Sequence, residues 1–417
     1  MKDIIIIGGG IAGLSAAIFA KGTDGRARVT VISEENDNPY RRSCLPHIID
    51  GTSKFEDLVM FSGDSLSGIN FLKDRKVLEV DISSKNITVK KDGEPKKEVT
   101  YDSLIFSTGA KNTFPSIYGI KSKSVCALRT FDEAVRISKA GGNVTVVGAG
   151  FISLMITEAL QRKGVKVIQV VRSRILRAVV EPEISTYIHK KMMGYRVKII
   201  IGAVPEEIIE KNGKTILRTS KGDIESSTII FSTGVAPDIE LAKNAGIEIG
   251  LKGIKTDEKM CTSASDVYAA GDCAEVVDAI TKKKTYIPLA SVAAKGGKIA
   301  GINAAGGKEV TGEFLRMQNE MVFGINIVTI GYTEDSARAF VDSGSKKLNL
   351  NGAYVVTDSK DRVIGASCLY TKVSSPYINM LYDSMKKERT FTELKDIIPD
   401  SSQKIGELMK KGAEGAV

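Results

Sequence analysis

Two segments of this chain carry the same pattern, and that repeat limits its fold more than any other feature. Residues 4–20 (IIIIGGGIAGLSAAIFA) run from an apolar stretch through three glycines into small, helix-forming residues, and residues 143–164 (NVTVVGAGFISLMITEALQRKG) do so again. Each copy is followed by a strand-like run ending in Ser-Thr-Gly: SLIFSTGA at 103–110, with Gly109, and STIIFSTGV at 227–235, with Gly234. A duplicated strand–turn–helix unit implies parallel α/β layers. The first copy has no charge, yet its consecutive glycines make it a poor spanning helix, so no membrane segment is expected. Lys2 is offset by Asp3 and no cleavage-type motif follows, so no signal peptide is expected either.

The glycines carry a specific chemistry. Gly8, Gly10 and Gly13 form G-x-G-x-x-G between a strand and a helix. The first permits the tight turn, the second lets a pyrophosphate approach the backbone, and the third allows close helix–strand packing. Glu34 ends the next strand about 20 residues on, where an acid binds ribose hydroxyls. The second copy offers Gly148 and Gly150, with Ser153 in the third place. Its ribose position reads Val170 or Val171, with Arg172 just beyond and Arg174 and Arg177 following. A missing acid beside arginines fits the 2′-phosphate of NADPH better than NADH, although solvated surface arginines would read the same way.

Composition excludes several functions. The 417 residues suggest two or three domains with ample core. Lys and Arg exceed Asp and Glu by a formal +9, which favours anionic partners, but no aromatic-interleaved basic patch points to nucleic acid. Only His47 and His189 are available, which excludes a His-rich metal site. The five cysteines (44, 126, 261, 273 and 368) include no C-x-x-C pair, so neither a zinc ribbon nor an ordinary iron–sulfur motif is present. Dispersed cysteines in odd number suit a reducing cytoplasmic setting.

The paired glycine turns, YDSLIFSTGA (101–110), STGVAPD (232–238) and VYAAGDCAE (268–276) together resemble the pyridine nucleotide–disulfide oxidoreductases. Within them the chain looks most like the branch of NADH oxidases, coenzyme A disulfide reductases and NAD(P)H:rubredoxin reductases, over residues 1 to about 395. The resemblance implies two Rossmann-like dinucleotide-binding domains, one inserted in the other, plus a C-terminal α+β interface domain. The expected divisions are an FAD-binding domain at 1–113 and 236–310, an NAD(P)-binding domain at 114–235, an interface domain at 311–400 and a polar tail at 401–417. FAD would be held by Gly8, Gly10, Gly13 and Glu34, with Asp272 at the ribityl chain, Val77 at the adenine and Gly109 closing the domain. Ala290, in PLASVAAKGGKIAG (288–301), begins a helix whose positive end would face the flavin. Gly148, Gly150, Arg172, Arg177 and Gly234 would line the NADPH or NADH site. One departure is Met155, where the family usually has a Glu near the nicotinamide.

The acceptor side is set by NPYRRSCLPHIIDG at 38–51. The C-x4-C pair of disulfide-type members is missing here, and no His follows His189, so glutathione- and lipoamide-reductase chemistry is excluded. Single-cysteine members cycle one thiolate beside the flavin, and Cys44 is the candidate. Counting back from Gly51 places Cys44 in that slot, whereas aligning on Leu45–Pro46 places Ser43 there. Rubredoxin-reductase-like members have instead a basic residue near the flavin, which Arg42 matches, and Cys44 is then ordinary packing. The expected activity is electron transfer between NAD(P)H and an acceptor, foremost an acidic redox protein or a metalloenzyme subunit. The alternatives are a Cys44-dependent oxidase or coenzyme A disulfide reductase, and a non-catalytic FAD-bearing subunit of a complex. A homodimer is compatible with each.

Overall fold

Four consecutive isoleucines, Ile4 to Ile7, are buried on both faces, and the strand Asp3–Ile7 is accordingly the centre of a parallel sheet. The computed structural model describes residues 1–60, 66–211, 214–350, 353–370 and 375–397; the tail at 401–417 lies outside them. These residues form two compact units.

The first unit comprises residues 1–42, 55–111 and 235–314. Its sheet runs Val267–Ala269, Ser103–Phe106, Asp3–Ile7, Arg28–Ile32, Ile69–Leu72, all parallel. The same unit carries a three-stranded antiparallel sheet of Lys76–Asp81, Asn86–Lys90 and Lys97–Thr100, with Gly93 at φ +78° in its last turn. Helices Ile11–Thr23 and Ala290–Ala304 pack together at very short range, because glycines line the contact. A Cβ on Gly297 would lie 2.2 Å from the Ala12 carbonyl oxygen, and one on Gly301 would lie 2.1 Å from that of Ala16. Both pairs advance in the same direction, so the helices are parallel and their amino-terminal ends point the same way.

The second unit comprises residues 43–54, 112–234 and those from Leu315 on. Its parallel sheet runs Lys198–Ile201, Lys166–Val171, Asn143–Val147, Thr228–Phe231, Val125–Cys126. The hairpin-like runs read in the sequence become a five-stranded antiparallel sheet in the order Met317–Val322, Ile325–Gly331, Val363–Tyr370, Ala353–Thr357, Lys346–Leu350. It shares a core with the parallel part: Val322, Phe323 and Ile327 pack with Phe151, Leu154, Ile184 and Ile188. His189 lies in the helix Pro182–Gly194, and Lys282 and Lys283 lie in the turn before the strand Lys284–Thr285. Among the described residues, no helix is long and apolar enough to cross a membrane.

The helix crossing generates a sharp expectation. Gly301→Val forces a side chain into backbone and should cost about 3 kcal/mol or more. Gly22→Ala, in the facing helix Ile11–Thr23 but directed at open space, should be neutral or stabilising by up to about 1 kcal/mol. Denaturant unfolding of the two variants checks this, and equal destabilisation would contradict the packing.

Candidate active site

Both glycine turns are closed by one repeated contact. Gly8 has φ +110°, and a Cβ there would lie 2.2 Å from the carbonyl oxygen of Ser107, the serine of the first Ser-Thr-Gly. Gly148 has φ +146°, and a Cβ there would meet the carbonyl oxygen of Ser232, the serine of the second, also at 2.2 Å. In each copy that serine donates its backbone N–H at 2.8 Å to the last residue of the glycine-bearing strand, Ile7 or Val147. The sequence echo is therefore a packing requirement. Gly109 and Gly234, which end the two motifs, take φ +76° and φ +115°.

Each turn ends in an open helix start. Gly10 and Gly150 are the residues before the first helical turn; both are extended, neither helix has a side-chain cap or an acid in its first turn, and a Cβ on either would meet nothing within 4 Å. The free amides thus face open space under a positive helix end, which is a cradle for a phosphate. A Cβ on Gly13 would lie 2.0 Å from the Gly8 carbonyl oxygen, so this place demands glycine. Ser153 holds the equivalent place in the second copy, fully buried, and donates to the Gly150 carbonyl oxygen at 2.7 Å.

Around the first turn, Glu34 is exposed and pairs with Lys76 at 3.3 Å. Val77 is buried beside a bulge in its strand. The GDCAE motif divides its labour. Gly271, at φ +84°, presses on Ala12. The buried Cys273 donates its thiol to main-chain oxygens of Phe106 and Ala270, and Glu275 accepts from the amides of Lys252 and Gly253. Ala290 is exposed at the uncapped start of its helix.

Arg42 belongs to a cluster that the motif search missed in part. It donates to Glu35 and, at 3.1 Å, to the hydroxyl of Tyr40, which itself donates to Glu35 at 2.6 Å. Burial works against its charge, but Tyr40, Glu35 and Asp272 outweigh that and raise its pKa. The acidic Glu35 and the charge of Asp272 were legible only once the fold brought them to Arg42.

In the second unit, Arg172 and Arg177 are exposed after strand Lys166–Val171, and neither side chain has a hydrogen bond or ion pair among the described residues. Arg174 is different. It donates to the carbonyl oxygens of Val180 and Arg177 and meets Asp335, so it is committed to structure. Val170 and Val171 are buried. Met155 packs into the apolar cluster of Phe151 and Leu154. Glu158, one turn on, is taken by Arg162 at 2.5 Å and by the Phe323 amide at 2.8 Å.

Cys44 ends the short helical turn Arg42–Cys44 and is half-buried. Of the other thiols, Cys126, Cys273 and Cys368 are buried and Cys261 is half-buried. Burial pushes Cys126 and Cys261 up to about 11 and Cys368 up to about 12, and raises Cys273 as well. Among the described residues no cluster of His, Cys, Asp and Glu is arranged to hold a metal ion.

A fold and two phosphate cradles of this kind define a nicotinamide- and flavin-nucleotide oxidoreductase. The pattern described as pyridine nucleotide-disulphide oxidoreductase matches residues 2–297, and the chain belongs to that family. An NADH oxidase of Methanocaldococcus jannaschii is 33% identical over 340 residues, covering 79% of this chain and 75% of that protein. An NAD(P)H sulfur oxidoreductase (CoA-dependent) of Pyrococcus abyssi is 30% identical over 427 residues, covering 94% of each. The solved NAD-dependent persulfide reductase from A. fulgidus superposes with a TM-score of 0.89 at 26% identity, over 99% of this chain and 84% of that one. The family is FAD-dependent and uses NAD(P)H. The open cradle at Gly10 and the exposed Glu34 fit the first group, and the cradle at Gly150 fits the second.

Thiol reactivity follows from the burial pattern. In the native protein, Cys44 should react first with Ellman's reagent, Cys261 more slowly, and the other three only on unfolding. Peptide mapping of the labelled sites checks the order.

Proposed function

We propose that the chain is an NAD(P)H-dependent FAD reductase whose acceptor is a small sulfur compound with an S–S bond, of the disulfide, persulfide or coenzyme A-linked class, with Cys44 as the attacking thiol. The observation that carries this reading is that Cys44 is half-buried on the segment that sets the acceptor, whereas Cys126, Cys273 and Cys368 are buried and burial pushes the Cys261 thiol up to about 11. The names of the Pyrococcus abyssi relative and of the persulfide reductase support the acceptor class. Electrostatic stabilisation and positioning are the work assigned to the chain itself.

Bound FAD would supply the two-electron chemistry between the nicotinamide and the sulfur acceptor. The residues assigned to it are Gly8, Gly10 and Gly13 at the pyrophosphate, Glu34 at the ribose, Val77 at the adenine, Gly109 at the end of the domain and Asp272 at the ribityl chain. Arg42 sits in a cluster with Glu35 and Tyr40 under the charge of Asp272, and Ala290 starts the uncapped helix that supplies a positive end. Gly148, Gly150 and Gly234 shape the nicotinamide-nucleotide cradle, and Arg172 and Arg177 are the unpaired cations for a 2′-phosphate. A second reading, reduction of an acidic redox protein, is favoured by the +9 charge and requires no thiol.

Two experiments test these assignments. Anaerobic titration should bleach the bound flavin with NADPH and with NADH, and the Arg172→Ala/Arg177→Ala double variant should weaken NADPH by roughly ten-fold or more while changing NADH little. A variant that affects both nucleotides equally would remove the phosphate assignment. Cys44→Ser should abolish reduction of coenzyme A disulfide or persulfide but leave flavin bleaching intact. Undiminished turnover of the sulfur acceptor would favour the protein-acceptor reading.

A further inference from the structure

The segment that carries Cys44 also carries one of the two histidines of the chain. The turn Arg42–Cys44 leads into helix Pro46–Ile49 through Leu45, whose φ −54° and ψ −34° are helical, so no break separates them. Cys44 and His47 are therefore three apart on one continuous helical stretch, a spacing that brings side chains to the same face.

His47 is oriented by a chain of hydrogen bonds. Its Nδ1 lies 3.3 Å from the Thr52 hydroxyl, which lies 2.6 Å from Asp50 Oδ1 and 3.5 Å from the His47 carbonyl oxygen. The hydroxyl has one proton, and the carboxylate at 2.6 Å takes it. Thr52 must then accept from His47, which puts the ring proton on Nδ1 and leaves the Nε2 lone pair open. Asp50, with its side chain only 2% exposed, is itself fixed by Arg162 at 3.1 Å. Burial works against the Arg162 charge, but Glu158 and Asp50 prevail and raise its pKa. Neither Cys44 nor His47 Nε2 has a hydrogen-bond partner among the described residues.

We propose that His47 serves Cys44 as proton acceptor and donor in thiol–disulfide exchange, and that Thr52, Asp50 and Arg162 are positioning residues that hold its ring with Nε2 open. This rests on the reading of Cys44 given above. In the exchange, Nε2 takes the Cys44 proton and the thiolate attacks one sulfur of the acceptor. The S–S bond breaks, and the departing thiolate takes the proton from the imidazolium. The products are a Cys44 mixed disulfide and one free thiol, with no net electrons consumed. NAD(P)H then supplies two electrons and a proton, and solvent a second proton, to regenerate Cys44 and release the other thiol.

The test is the pH profile of carbamidomethylation at Cys44, read by peptide mass spectrometry on the full-length protein with iodoacetamide. The charged groups around this stretch are Arg42, paired with Glu35, and Asp50 on it, Glu158 and Arg162 on helix Phe151–Arg162, and Asp132, Glu133 and Arg136 on helix Phe131–Ser138. All of these remain unchanged in His47→Gln and Thr52→Val. Both variants should slow labelling near pH 7 by roughly ten-fold and recover the wild-type rate above about pH 9, where the thiol ionises unaided. Thr52→Val keeps the imidazole and so separates loss of orientation from loss of the base. A wild-type profile in both variants overturns the inference, as does a loss of rate that high pH does not restore. The two readings fail separately. If Cys44→Ser still turns over sulfur acceptors while His47→Gln shifts the labelling profile, the acceptor reading falls and the pairing stands. If Cys44→Ser is inactive and the profile does not move, the pairing falls alone.

Discussion

The contact between a serine carbonyl and the first glycine of a turn is what the rest of each nucleotide-binding half depends on. At Gly8 and again at Gly148, that oxygen occupies the space of a Cβ, so the turn lies hard against the neighbouring strand. Only glycine fits there, and both residues also have positive φ. The helix then starts at the sheet edge with its amides uncovered. A structural element with that many unsatisfied donors in open space is poised for an anion, and the parallel alignment of helix Ala290–Ala304 adds a second positive end to the first unit.

The two copies have since diverged in ways that packing explains. Gly13 has backbone where a Cβ would go, whereas the buried Ser153 has room for its Cβ and spends its hydroxyl on the Gly150 carbonyl. After the second strand, one copy presents a carboxylate in Glu34, and the other presents buried valines followed by the exposed Arg172 and Arg177, which have no ion pair among the described residues. The two copies thus carry opposite charges after equivalent strands. Met155 adds to this asymmetry by closing its helix face with an apolar side chain packed against Phe151 and Leu154.

Local pattern made the repeated halves legible. Strand Asp3–Ile7 and its helix, and the second pair at 143–162, were both marked by apolar runs and glycine placement. The hydrogen-bond networks were not. Asp50 and Arg162, or Glu158 and the Phe323 amide, lie far apart in the chain and carry no local signal, since any surface helix shows similar charges. Arg42 was visible as a basic residue, but the partners that hold its charge, Glu35 and Tyr40, gained meaning only from the fold. Cys261, half-buried and bridged to Tyr268 across the chain, likewise carries no local signal of its exposure.

Residues 43–54 belong with the second unit although the chain on both sides of them belongs to the first. The cause is electrostatic as well as apolar. Ile49 and Leu45 are buried, and Asp50, almost wholly enclosed, is tolerable only because Arg162 reaches it. Arg162 in turn is shared with Glu158, which accepts from the amide of Phe323, so the same charges tie the Cys44 segment, the helix Phe151–Arg162 and the antiparallel sheet together. The position of Cys44 is thus set by the unit that also carries Arg172 and Arg177. It depends on an ion-pair chain remote in sequence, and through Asp50 and Thr52 that chain orients the His47 ring.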